Sequence, residues 1–177
     1  MTPQSVPDAV FHTRVRNPDL AGDNPFELKQ LSTSDVFAGK RVVVFALPGA
    51  FTPACSESHL PGYERLCDAF VAQGVDSVVC VAVNDAFVMF QWAKSQNIQH
   101  VFMLPDGNGE FTRKMGMLVD RSAQGMGMRS WRCSMLVENG DITKLFAEPG
   151  LRDNPPGVPM AVSSAETMLG YLQNSSV

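Results

Sequence analysis

The sequence predicts an α/β fold: one domain over residues 1–177, with a central mixed β-sheet flanked by helices on both faces. Three observations carry this. RVVVFAL (41–47) and DSVVCVAV (76–83) are apolar runs without polar alternation, as strands buried on both faces read. Segments of helical periodicity separate the strands in the order β-α-β-α-β. Finally, RSWRCSMLVENGDITKLFAE holds two strand patterns around Asn139-Gly140, a hairpin signal that adds antiparallel strands.

The elements follow in order. The chain ahead of Arg41 reads as an irregular arm. After the first buried run, Pro48-Gly49 ends the strand, and Leu60, Tyr63, Leu66, Cys67, Phe70 and Val71 recur at helical spacing up to Gly74. The second buried run leads into NDAFVMFQWAKSQN, a helix capped by Asn84 or Asp85. HVFMLPD is a short third strand, and GEFTRKMGML a short helix. Beyond the hairpin, EPGLRDNPPGVP (148–159) reads as an exposed loop. A last helix runs from Ser163 to Gln173, capped by Ser163 or Ser164, with Glu166 near the capping-box position.

Composition narrows the function classes. Apolar residues make up 45% and charged residues 18% of the chain, as in a soluble globular protein. The net charge of −4 leaves no basic footprint, so neither nucleic acid nor an anionic membrane is an expected partner. The longest apolar runs are too short to span a bilayer, and the N-terminal stretch has neither secretory nor transit-peptide character. A cytoplasmic location is the expectation. There thiols stay reduced, and the four cysteines at 55, 67, 80 and 133 default to small buried hydrophobes. No C-x-x-C pair or cysteine–histidine cluster suggests a metal site.

Cys55 stands apart. It lies in ALPGAFTPACSESHLPGY, hemmed in by Pro48, Pro53 and Pro61, where the helix after the first long strand begins. A helix N-terminus favours an anion, and the thiolate is the reactive form of a thiol. That gain is small beside enzymatic accelerations, so other groups must hold a substrate in line with the sulfur. Thr52 offers a hydroxyl, and Arg132 is a charge inside an otherwise apolar strand pattern. Arg132 either points inward to an anion such as Cys55 or lies on a solvated face; the pattern leaves both open. T-P-A-C carries threonine where a dithiol motif has its first cysteine, so a vicinal disulfide is excluded. His59, four residues after Cys55, can share its helix face, but two ligands make a poor metal site.

PGAFTPAC (48–55) matches the P-x-x-x-T-x-x-C signature of peroxiredoxins. With LPGAFTPACSESHLPGY, VNDAFVMFQW, PDGNGEFTRKMGM and SWRCSMLV in order, the chain from about residue 5 onward resembles the peroxiredoxin-5 or type II subfamily. The last two blocks look most like the bacterial branch often fused to a glutaredoxin. The resemblance implies a thioredoxin-like fold and reduction of hydrogen peroxide and alkyl hydroperoxides, with no metal or organic cofactor. By motif, Cys55 would be the peroxidatic cysteine, attacking a peroxide oxygen and becoming a sulfenic acid. Thr52 would hydrogen-bond the peroxide, Arg132 would stabilise thiolate and developing charge, and Pro48 would shape the pocket. His59 would pack near them, and a homodimer is expected.

The resemblance leaves the reductant open. The stretch GVPMAVSSAETML lacks the second cysteine some members use, and Cys80 falls where some plant-type members place a resolving cysteine. Otherwise the enzyme works with one cysteine and is reduced by glutathione, glutaredoxin in trans, or thioredoxin. Cys67 and Cys133 read as structural, and the tryptophans and methionines as core. The competing class is a thioredoxin-like redox sensor, oxidised at Cys55 without turnover.

Overall fold

The computed structural model describes residues 3–175. In chain order it comprises β1 (Val10–Arg16), β2 (Phe26–Ser32), α1 (Thr33–Phe37) and β3 (Arg41–Ala46). A π-helical turn (Cys55–His59) leads into α2 (Leu60–Arg65) and α3 (Cys67–Ala72), followed by β4 (Ser77–Ala82) and α4 (Ala86–Ser95). Then come β5 (Phe102–Pro105), α5 (Glu110–Lys114), β6 (Leu118–Asp120), β7 (Met128–Ser130), β8 (Cys133–Glu138), β9 (Asp141–Ala147) and α6 (Ala165–Ser175).

The main sheet has the order β5-β4-β3-β8-β9. β3 is parallel to β4 and antiparallel to β8, so the mixed sheet expected from the two buried runs and the hairpin is present. Strand alternation divides the core. Val43, Phe45, Leu47 and Cys80 face one side, under Leu60, Tyr63, Phe70, Met89, Trp92 and Met168 from α2, α3, α4 and α6. Val42, Val44, Ala46, Val79 and Val81 face the other, under Phe11, Phe37, Phe111 and Met115. Tyr63 stacks on Phe45 with ring centroids 4.0 Å apart, an aromatic pair of the kind that adds about 0.5–1.5 kcal/mol beyond its buried area.

Several expectations need correction. The irregular arm is a β1–β2 hairpin followed by α1, which a reciprocal Ser32–Asp35 capping box starts. β1 alternates in burial over Val10–Thr13, but an exposed Val10 and a buried Thr13 keep that alternation out of the residue types, and β2 is largely exposed. The helix after Cys55 breaks at Leu66 and restarts as α3, which shifts its phase and leaves Val71 61% exposed. The strand pattern at 129–138 is divided: β7 pairs with β6 as a small separate ribbon, and β8 begins at Cys133. Asp85 caps α4, accepting from the N–H groups of Phe87 and Val88. Ser164 accepts from the Thr167 N–H at the start of α6, while Glu166 pairs with Arg65 rather than closing a capping box.

Candidate active site

The loop after β3 is held tightly. Leu47, Pro48 and Gly49 are buried, and the Ala50 N–H donates to Asn84 Oδ1 at 2.9 Å. Phe51, 57% exposed, has a φ of 62°, a left-handed conformation that bulky residues rarely adopt. The Thr52 hydroxyl donates to the Gly49 carbonyl at 2.7 Å, which commits its proton and leaves its oxygen free to accept. Helix begins at Pro53, where a missing N–H is tolerated, and Cys55 sits in that first turn. The turn is wide, because the Leu60 N–H bonds the Cys55 carbonyl five residues back. Trp92 Nε1 donates to Ser56 Oγ at 3.0 Å, tying α4 to the same turn.

Arg132 sits in the gap between β7 and β8. Trp131 and Cys133 belong to the α5 side of the core, so alternation turns Arg132 to the Cys55 side. It is buried, and its Nη2 lies 3.5 Å from Cys55 Sγ. Its Nη1 lies 3.0 Å from Nδ1 of the buried His59, whose Nε2 lies 3.0 Å from the Ser163 carbonyl. A guanidinium only donates and a carbonyl only accepts. His59 is therefore the neutral tautomer with its proton on Nε2. Burial, reinforced by the Arg132 charge, pushes its pKa down to about 3. The Nε of Arg132 is buried without a hydrogen-bond partner among the described residues.

Glu148 holds the far end of this chain of contacts. Its carboxylate accepts from the N–H groups of Ala161, Val162 and Ser163, each at 2.9 Å, and from the Ser163 hydroxyl at 2.7 Å. Burial raises its pKa, but those hydrogen bonds outweigh burial and the net shift is downward. The clamp fixes the Ser163 carbonyl, which accepts from both His59 and the Tyr63 hydroxyl. Arg132, Glu148 and residues 161–163, distant from one another in sequence, are thus joined to the Cys55–His59 turn in one chain of contacts, of which Arg132 alone reaches the sulfur.

The site has relatives. A peroxiredoxin of Synechocystis sp. is 56% identical over 175 residues, covering 99% of this chain and 93% of that protein. The chain belongs to the peroxiredoxin family. The Redoxin family model matches residues 5–169. A hybrid peroxiredoxin of Haemophilus influenzae is 48% identical over 172 residues, 97% of this chain and 66% of that protein. Reduced Prx3 of Vibrio vulnificus in complex with H2O2 superposes with a TM-score of 0.83 at 40% identity, covering 99% of this chain and 98% of that one. The Plasmodium falciparum antioxidant protein, a 1-Cys peroxiredoxin, superposes with a TM-score of 0.90 at 35% identity, covering 96% and 98%. Thioredoxin-like fold and type II subfamily stand as expected, and the family's chemistry is thiol-dependent peroxide reduction without a prosthetic group.

In this peroxiredoxin Cys55 and Arg132 are in contact, Thr52 precedes Cys55 in the same turn, and Pro48 is buried at the end of β3. Cys80 is fully buried in β4, level with Phe45 of β3 and on the same side of the sheet as Cys55. Burial first, then the Cys55 charge, raises its pKa well above the ordinary thiol range. Burial pushes the Cys67 and Cys133 thiols up to about 12, and alternation turns Cys133 to the opposite side from Cys55. Both ring nitrogens of His59 are engaged by protein partners, which leaves none for a metal.

Sequence reasoning missed Glu148, placed in an exposed loop, and gave His59 no task beyond packing. No local pattern marks Glu148, because its partners lie 13 to 15 residues later. For His59 the only signal was its i, i+4 spacing from Cys55.

Proposed function

We propose that this protein reduces hydrogen peroxide and organic hydroperoxides through Cys55. The thiolate sulfur bonds to one peroxide oxygen and the O–O bond breaks. The other oxygen takes a proton and leaves as water or an alcohol, and Cys55 becomes a sulfenic acid. The observation that most supports this is the buried Arg132 donating to Cys55 Sγ at 3.5 Å while His59 steadies its other terminus. That cation favours the thiolate and the charge that develops on the leaving oxygen. Thr52, its own proton already committed, accepts from the peroxide O–H, and Pro48 walls the pocket.

The same proposal extends to turnover. A thiol attacks the sulfenic sulfur and releases water, giving a mixed disulfide, and a second thiol frees Cys55. Glutathione, alone or with glutaredoxin, is favoured over thioredoxin by likeness to the hybrid peroxiredoxin. Cys80, mid-strand and paired on both sides, is a poor resolving thiol, which favours a one-cysteine cycle. A homodimer is in keeping with the exposed Phe51, Phe87 and Met128, and a cytoplasmic setting with four free cysteines. The deciding experiment is rapid mixing of reduced protein with one equivalent of hydrogen peroxide, read by intact mass. Gain of one oxygen in wild type and none in Cys55→Ser is expected. Oxidation no faster than that of a free thiol would overturn the reading.

A further inference from the structure

A second arginine lies against the Cys55 loop. A Cβ built on Gly49 would sit 2.6 Å from Nη1 of Arg129 and 3.6 Å from its Cζ. Any side chain at 49 would displace that guanidinium, so glycine admits it onto the backbone between Pro48 and Thr52. The Gly49 carbonyl is the acceptor that positions the Thr52 hydroxyl. Arg129 is half-buried, and its Nε donates to the Met126 carbonyl at 2.8 Å.

A third arginine accompanies it. The β6–β7 register pairs Val119 with Arg129, so Arg121, two residues beyond Val119, falls on the same face of the ribbon as Arg129. Arg121 is buried, and its Nε has no partner among the described residues. Neither arginine forms an ion pair among the described residues. The carboxylates close to them in chain or sheet are engaged elsewhere: Asp120 accepts from the Ser122 N–H, Asp153 from the Asp120 N–H, and Glu148 from residues 161–163. Burial and then the Arg121 charge push the Arg129 pKa down, in keeping with two cations that lack a counter-charge.

We propose that Arg129 and Arg121 form an anion subsite beside the Cys55 loop that takes a carboxylate of the thiol co-substrate. This rests on the reading of Cys55 as a peroxidatic cysteine reduced by a small thiol. Hydrogen peroxide is uncharged and has no use for a second cation, whereas a carboxylated thiol approaches a protein of net charge −4. A local pair of guanidinium groups offsets that repulsion and aims the thiol at the sulfenic sulfur.

The two half-reactions separate the subsite from the peroxidase chemistry. Arg129 packs on the loop that carries Thr52, so in Arg129→Gln the rate of each reduction is compared between thiols within the same oxidised variant, and any change in the peroxide step cancels. Reduction of the sulfenic acid by glutathione falls about tenfold, while reduction by 2-mercaptoethanol, which carries neither a carboxylate nor an ammonium, is unchanged. Equal slowing with both thiols, or none with either, overturns the subsite. Selective slowing of a hydroperoxide bearing a carboxylate, against cumene hydroperoxide, with glutathione unaffected, gives the arginines to the peroxide and also overturns it. Wild type supplies a test free of folding effects: rising salt slows the glutathione step more steeply than the 2-mercaptoethanol step, and identical slopes overturn the proposal. Wild-type Cys55 that resists peroxide would remove the peroxidase reading, and the subsite with it.

Discussion

Nδ1 of His59 accepts from Nη1 of Arg132 at 3.0 Å, so a neutral imidazole orients the guanidinium that reaches Cys55. Arg132 has lost water as a partner, and each of its contacts restricts where it points. Removing the acceptor leaves a buried charge short of a hydrogen bond and free to turn from the sulfur. His59→Leu is expected to slow peroxide oxidation of Cys55 about 10- to 100-fold, and its alkylation at pH 7 in parallel. His59→Asn keeps an acceptor near Nδ1 and recovers most of the loss. A role in packing alone would leave the two variants equally active, which stopped-flow rates will decide.

The same imidazole links stability to pH. Its pKa is about 3 folded against an ordinary value of 6.5, so between those values the unfolded chain binds a proton that the folded chain does not. Stability from this group therefore rises with pH through that window and is lost on acidification from about 6.5 to 3. The unfolding midpoint should fall between pH 7 and pH 4.5 in wild type, and His59→Asn should flatten that part of the curve. A slope unchanged in the variant would contradict the assignment.

Glu148 acts further down in pH. Its folded pKa is depressed, so its contribution is present above the ordinary carboxylate value and lost as pH falls through the folded one. Glu148→Gln turns one acceptor into a donor facing backbone N–H groups, and is expected to cost about 1–3 kcal/mol. Hydrogen exchange at the amides of Ala161, Val162 and Ser163 should rise in this variant before other buried amides respond.

Arg132→Lys keeps the charge but cannot reach Cys55 and His59 together from a planar fork. Peroxide reduction should drop about 100-fold while circular dichroism stays native. Thr52→Val preserves shape and removes the hydroxyl, and should lower kcat/KM for peroxide about tenfold. Wild-type rates in both variants would remove these two residues from the proposed mechanism.

Among the remaining thiols, Cys80→Ala should keep glutathione-supported turnover. A peroxide-treated wild type that loses two hydrogens, and does so only when Cys80 is present, would instead establish Cys80 as the resolving thiol. Cys67 and Cys133, buried with thiols pushed up to about 12, should react with iodoacetamide only after unfolding.

The parts of this protein legible from sequence are those built by neighbours along the chain. The buried runs at 41–47 and 76–83 and the Asn139-Gly140 turn are enough for the mixed sheet, because strand burial and hairpin geometry are local. Pro48, Thr52 and Cys55 are legible for the same reason, as one loop and one helical turn. The direction of Arg132 was undecided, since a charge in a strand pattern fits either face. The break between β7 and β8 and the alternation from Trp131 to Cys133 turn it inward. The contacts of Arg132 with His59, of His59 with the Ser163 carbonyl and of Glu148 with residues 161–163 join positions with no shared periodicity. Only packing removes water from these groups, and a group without water takes whichever protein partner the fold sets beside it.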